Sequence, residues 1–223
     1  MARTRARKFI DMSLQQLFDR LLAAYGPQHW WPGDTPFEIM VGAILTQNTA
    51  WGNVEKAIAN LKDNQALDPS TLVETPHDRL AAWLKPSGYF NIKATRLRNF
   101  CRWYLAQGGF EALADWPTAE LRHGLLSVKG VGPETADDML LYAFERPVFV
   151  IDAYTRRLFS RLGLLDGEAG YETLRHQVET ALPADVALFN EFHALIVRHA
   201  KEACRKRPLC EACPLAADCR VAA

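Results

Sequence analysis

Apolar residues recur along this chain at steps of three and four, the spacing that lines one face of an α-helix, and almost nowhere at the step of two that marks a half-buried strand. Trp51, Val54, Ile58 and Leu61 fall on one such face after Thr49. Comparable patterns predict helices over 14–25, 76–84, 91–107, 118–127, 133–144, 153–162, 171–182 and 187–202. Start and stop signals agree with them. Ser13 and Gln16 make a capping box that opens the first helix, and Gly26-Pro27 closes it. Thr35, Pro36 and Glu38 open another, with proline at the first helical position, where its missing N–H would have no helical partner anyway. The one short β-branched run, 148–151, follows Pro147 and is only four residues long. The pattern predicts an all-α protein with short connections.

Composition narrows this picture. Hydrophobic residues make up 49 % of 223 positions, so the chain can bury a sizeable core. No apolar run approaches the roughly 20 residues of a membrane span. The basic stretch at 1–8 leads into no apolar signal region and is read as a charged arm, so the expected location is the cytoplasm, at the bacterial nucleoid. Twenty-six basic and 26 acidic residues cancel, but they segregate. Lys and Arg gather at 2–8, 93–102, 156–161 and 198–207, whereas acids gather at 63–78, 111–120 and 166–179. One basic face can therefore meet phosphates even at zero net charge.

Of five cysteines, four form a tail motif, Cys204-x5-Cys210-x2-Cys213-x5-Cys219, and Cys101 stands apart. An odd count in a chain without a secretion signal argues against a disulfide framework and for a metal site. Four thiolates this close suit tetrahedral zinc or a [4Fe–4S] cluster. Zinc ribbons usually carry two Cys-x2-Cys pairs, and this tail has one between two wider gaps, which favours iron–sulfur.

The stretch from Leu125 to Asp137 ends one helix at Ser127, passes through Lys129-Gly130-Val131-Gly132 and opens the next at Pro133. Glycines allow a turn too tight for side chains, and the amides at the start of the second helix suit a phosphate oxygen. Leu125, Val128, Val131 and Ala136 are placed to pack the two helices together.

A Gly-Val-Gly hairpin, then Asp152 at the head of a helix, then a four-cysteine tail resembles the endonuclease III group of helix-hairpin-helix DNA glycosylases. The likeness runs from about Trp30 to Cys219 and is nearest to the 3-methyladenine DNA glycosylase branch. It is carried by Trp30-Trp31-Pro32, Gly42-Ala43-Ile44-Leu45-Thr46-Gln47-Asn48-Thr49, Lys85-Pro86-Ser87-Gly88-Tyr89-Phe90-Asn91 with Lys93-Ala94, and Val150-Ile151-Asp152. The resemblance implies two helical domains: 30–140, with the hairpin at about 125–137, and 1–29 plus 141–223, with the cluster at 204–219. It also implies a monomer acting on double-stranded DNA that holds a damaged base, with no membrane partner, and a base rotated out of the stack for excision.

Residue by residue, the resemblance makes Asp152 the catalytic carboxylate, although Asp is also a favoured N-cap. Trp30, Trp31 and Trp51 become aromatic walls of the base pocket, with Glu134 and Lys201 beside it. Gln47 fills the gap left by the flipped base, next to Asn48, and Tyr89 wedges the opposite strand. Lys129, Gly130, Val131 and Gly132 meet the backbone, and Cys204, Cys210, Cys213 and Cys219 hold the [4Fe–4S] cluster. Members that also cut the backbone have a lysine where this chain has Glu134, and a carboxylate cannot form their Schiff base. The implied enzyme is therefore monofunctional, acting on an alkylated purine such as 3-methyladenine. Two alternatives are an endonuclease III-like enzyme for oxidised pyrimidines with lyase activity, and a non-catalytic iron–sulfur DNA-binding protein. The first cysteine gap is one residue shorter than the usual endonuclease III spacing, and the tail belongs to that branch rather than to the 3-methyladenine one.

Overall fold

The computed structural model describes residues 12–30 and 33–221, and the regular structure among them is entirely helical. Trp31, Pro32 and the basic arm at 1–8 lie outside the described residues. In chain order the helices are α1 (Leu14–Tyr25), α2 (Pro36–Leu45), α3 (Trp51–Asp63), α4 (Pro69–Glu74), α5 (His77–Leu84), α6 (Phe90–Ala106), α7 (Gly109–Ala114), α8 (Thr118–Ser127), α9 (Pro133–Asp138), α10 (Ala153–Leu162), α11 (Tyr171–Ala181) and α12 (Val186–Glu202). No described helix is long and apolar enough to cross a membrane. The chain divides into two compact units, one of Met1–Trp30 with Val148–Ala223 and one of Trp31–Pro147.

The capping chemistry is realised as read. Ser13 Oγ accepts the Gln16 amide while Gln16 Oε1 accepts the Ser13 amide, at 3.2 and 2.9 Å. Thr35 Oγ1 accepts the Glu38 amide at 3.2 Å, with Pro36 just inside the helix. Helices α4 and α7 and the 3₁₀ turn Lys85–Ser87 were not anticipated, because six residues or three do not complete enough turns to show a period. The helix expected over 133–144 is also corrected. It runs as α9 to Asp138 and then widens into a π turn, Met139–Ala143, in which the Phe144 amide reaches back five residues to Met139 O.

In the contiguous unit, α6 is the central post. Lys93, Ala94, Leu97, Phe100, Cys101 and Tyr104 form its buried stripe, and α2, α4 and α5 pack around it. Helix α2 is buried from Glu38 to Leu45, and the Glu38 carboxylate is paired with Lys62 Nζ at 2.8 Å. The other unit closes around aromatic rings. Phe149 meets Phe189 edge-on at 5.4 Å, and Phe192 touches Phe18, Phe149 and Phe159. Each fully buried Phe contributes about 2–3 kcal/mol of transfer free energy.

The 148–151 run is an extended buried arm, not a strand. Its backbone finds partners on α11: the Phe149 amide donates to Glu179 Oε1 at 2.9 Å and the Ile151 amide to the Tyr171 hydroxyl at 3.4 Å. A buried backbone must be satisfied somewhere, and here side chains replace a neighbouring strand.

Candidate active site and helical hairpin

Asp152 ends the buried arm and caps α10. Its Oδ1 accepts the Thr155 amide at 2.7 Å, and its Oδ2 lies 3.6 Å from His193 Nε2 on α12. The side chain keeps 13 % of its surface exposed. Burial alone would raise the Asp152 pKa. The His193 contact and the Thr155 donors more than offset that, so the carboxyl sits below the ordinary aspartate value. A carboxylate held ionised at a helix N-terminus also faces the positive end of the helix dipole.

Trp30 belongs to the same unit and stacks on the His193 ring, centroids 5.8 Å apart and planes 27° from parallel. Sequence reasoning passed over His193. Its signal was a lone histidine inside the apolar run Phe192 to Val197 of an otherwise core-facing helix. Lys201 is exposed on the last turn of α12. Trp51 lies in the other unit at the start of α3, half-buried, with Nε1 donating to Glu55 at 3.1 Å. Gly42 leaves room for that indole, since a Cβ there would stand 3.3 Å from Trp51 Cη2. Trp31 is outside the described residues.

The hairpin is built from α8, the turn and α9. Arg122 on α8 grips the fully buried Asp137 on α9 with two bonds, 2.7 and 3.1 Å. In the turn, the Val131 amide donates to Val128 O at 3.0 Å, so this N–H is engaged inside the protein rather than offered to a phosphate. The turn carbonyls are engaged too: Lys129 O accepts from Asn99 and Gly130 O from Gln47, at 3.1 and 3.0 Å. Lys129 and Glu134 are exposed, Glu134 in the first turn of α9.

Gln47 is tied down at both ends of its amide. Nε2 also donates to Thr135 Oγ1 at 3.0 Å, and Oε1 accepts from Arg96. Asn48 follows it, exposed and left-handed at φ 56°. Gly130 has φ +109°, and a Cβ there would stand 2.3 Å from Arg96 Cγ. Gly130→Ala is therefore strained twice, by its backbone and by the side chain that holds Gln47. We expect a loss of roughly 1–3 kcal/mol and weaker duplex binding, measured by thermal melting and fluorescence anisotropy. Gly132→Ala, at φ −99° with open space around it, should retain stability.

Lys93 organises the neighbouring loops. It is buried, and Nζ donates to Leu45 O and Ser87 O, both at 2.7 Å. One ammonium thus ties the end of α2, which leads to Gln47, to the turn that leads to Tyr89. Burial, with the Arg96 charge beside it, lowers the Lys93 pKa to about 8. Tyr89 caps α6 in the left-handed region, φ 46°, with 66 % of its surface exposed. A non-glycine residue held there marks a constrained position.

Cys204, Cys210, Cys213 and Cys219 line one pocket with Leu158, Leu162 and Leu215, and all four are free thiols. Burial raises the Cys213 thiol pKa, and the other three cysteines add to that effect. Among the described residues no three His, Cys, Asp or Glu side chains converge closely enough to grip a metal ion. Arg161 from α10 knits the loop together, donating to Cys204 Sγ at 3.3 Å, Arg205 O at 2.7 Å and Lys206 O at 3.1 Å. Arg161 was visible in the sequence only as one member of a basic cluster. Cys101 is buried elsewhere, and burial pushes its thiol up to about 12, away from the reactive thiolate form.

Known proteins resemble this chain over most of its length. Residues 41–184 match the HhH-GPD superfamily base excision DNA repair protein model. The chain is 46 % identical over 209 residues to the DNA repair glycosylase candidate MJ1434 of Methanocaldococcus jannaschii, covering 92 % of this chain and 95 % of that protein. It superposes on H. pylori 3-methyladenine DNA glycosylase (MagIII) bound to 1,N6-ethenoadenine with a TM-score of 0.73 and 29 % identity, over 86 % of this chain and 98 % of that one. An endonuclease III–DNA complex shares the fold at a TM-score of 0.80 and 20 % identity, over 92 % of this chain and 93 % of that one. The chain belongs to the HhH-GPD superfamily of base excision DNA repair proteins, as a DNA glycosylase.

Proposed function

We propose that this glycosylase is monofunctional and removes an alkylated purine, such as 3-methyladenine, from duplex DNA. The observation that carries the reading is the Asp152 carboxylate, kept ionised by Thr155 and His193 while still partly exposed. When the bond between C1′ and the base nitrogen breaks, the base leaves with the electron pair and positive charge grows on the sugar. A fixed carboxylate stabilises that charge. Water then bonds to C1′ and gives up a proton, leaving an abasic site. A purine alkylated at N3 or N7 is already cationic and leaves as a neutral base, so no acid is required to protonate it. The Trp30 indole would attract such a base, an aromatic face contributing about 0.5–2 kcal/mol. Base-pocket roles for Trp31, Trp51, Glu134 and Lys201 are what the family resemblance implies. The likeness to MagIII favours this substrate class over oxidised pyrimidines.

The duplex is assigned to the turn at Lys129, Gly130 and Gly132, with Gln47 and Asn48 on one strand and Tyr89 wedging the other, while the Val131 amide stays bonded to Val128 O. Glu134 replaces the amine that a lyase needs. Base release from duplexes carrying methylated purines, ethenoadenine, thymine glycol or uracil tests the reading. Release of alkylated purines, with little enzyme–DNA adduct trapped by borohydride, is expected. Preferential release of thymine glycol with robust trapping would refute it.

The donor chemistry suits a [4Fe–4S] cluster on Cys204, Cys210, Cys213 and Cys219, since four free thiols line a single pocket and no disulfide ties any of them up. Such a centre would hold the loop bearing Arg205, Lys206 and Arg207 in one shape against DNA. Purified protein is expected to be yellow-brown, with visible absorbance that Cys213→Ser removes. A colourless, zinc-loaded preparation would contradict the assignment. The protein is proposed to act as a monomer in the bacterial cytoplasm.

A further inference from the structure

The acid and the aromatic wall meet at one side chain. His193 is 4 % exposed, and its ring face lies on Trp30 while its Nε2 edge stands 3.6 Å from Asp152 Oδ2. The other carboxylate oxygen is held by the Thr155 amide, at 2.7 Å. Two independent contacts therefore set the plane of the Asp152 carboxyl, one from its own helix and one from α12. The Trp30 indole lies on the face of the same imidazole.

We infer that His193 is a positioning residue for base excision: its edge orients the Asp152 carboxylate and its face orients the Trp30 indole, so the two are held as one piece. The inference rests on the reading of Asp152 as the excision carboxylate. Two chemically separate demands act on this position. A polar ring edge beside Oδ2 favours the ionised acid, and a flat face under the indole sets the plane on which a base stacks. Around Asp152, His193 comes from α12 and Thr155 from α10, while the Tyr171 hydroxyl from α11 accepts the Ile151 amide just ahead of it. Imidazole is the side chain that supplies both an edge and a face here. A histidine that merely filled the core would show no such division of labour.

Two substitutions separate the functions. His193→Phe keeps a face and loses the polar edge, whereas His193→Gln keeps a polar group near Oδ2 and loses the face. With a duplex methylated by dimethyl sulfate as probe, base release is measured across pH under single-turnover and steady-state conditions, and folding is followed by thermal melting. His193→Phe is expected to lower the single-turnover rate about tenfold and to raise the acid limb of the pH profile by about one unit, with KM within twofold of wild type. His193→Gln is expected to leave the acid limb in place and raise KM severalfold. The inference is overturned if both variants keep wild-type rate, acid limb and KM while Asp152→Asn is inactive. It is also overturned if both lose rate and KM in parallel with a lower melting temperature, which marks a core histidine only. Wild-type release by Asp152→Asn would instead remove the excision reading beneath it.

Discussion

Asp152→Asn should bind duplex DNA as wild type does and release base about a hundred- to a thousandfold more slowly, the loss expected when one preorganised electrostatic contact to a transition state is removed. Asparagine caps a helix about as well as aspartate. The bond from the Thr155 amide, 2.7 Å in the native protein, can therefore persist, and α10 should stay in place. The substitution removes charge and little else. Single-turnover base release and anisotropy binding, measured side by side, provide the check. Unchanged release would leave Asp152 a helix cap and nothing more.

The pH behaviour of the native protein follows from the same residue. Its carboxyl titrates below the ordinary aspartate range, with burial opposing and His193 and Thr155 favouring the ionised form. Aspartate in the unfolded chain holds its proton more readily, so ionised Asp152 contributes stability that is fully present above the unfolded pKa. That contribution is lost as pH falls through the lower, folded value. Base release should persist through mildly acidic pH for the same reason.

Asp137→Ala carries the largest expected loss of stability. Asp137 is fully buried and Arg122 is 15 % exposed, joined by two short bonds across the hairpin helices. Removing the carboxylate leaves the guanidinium in a largely buried site without its bidentate partner, which costs about 3–5 kcal/mol. At about 2–4 °C per kcal/mol for a chain of this size, the melting temperature should fall by at least roughly 6 °C. The double substitution Arg122→Met with Asp137→Leu, which takes both charges out of the interior, should recover much of that loss. A double variant as unstable as Asp137→Ala would show that the pair matters for more than mutual neutralisation.

Much of this molecule was legible before any coordinates. The capping box at Ser13, the proline-led start at Pro36 and the long helical periods at α6 and α12 are local signals. Each depends on residues within a turn or two of one another, so sequence spacing maps directly onto geometry. The Gly130-Val131-Gly132 turn and the cysteine spacing are local for the same reason. Short elements escaped because α4 and α7 are held by packing on α6 and by adjacent loops, not by a period of their own.

The capped helix starts, the hairpin turn and the spacing of the cysteine tail were thus determined by the sequence alone, because neighbours in the chain decide them. Which side chains share a site was decided only by tertiary structure. His193 reaches Asp152 across 41 positions, Arg96 reaches Gln47 across 49, and Lys93 binds carbonyls 48 and 6 residues away. Contacts of that separation arise where packed helices bring buried polar groups within bonding distance, and a buried donor or acceptor must be satisfied by whatever the fold places beside it.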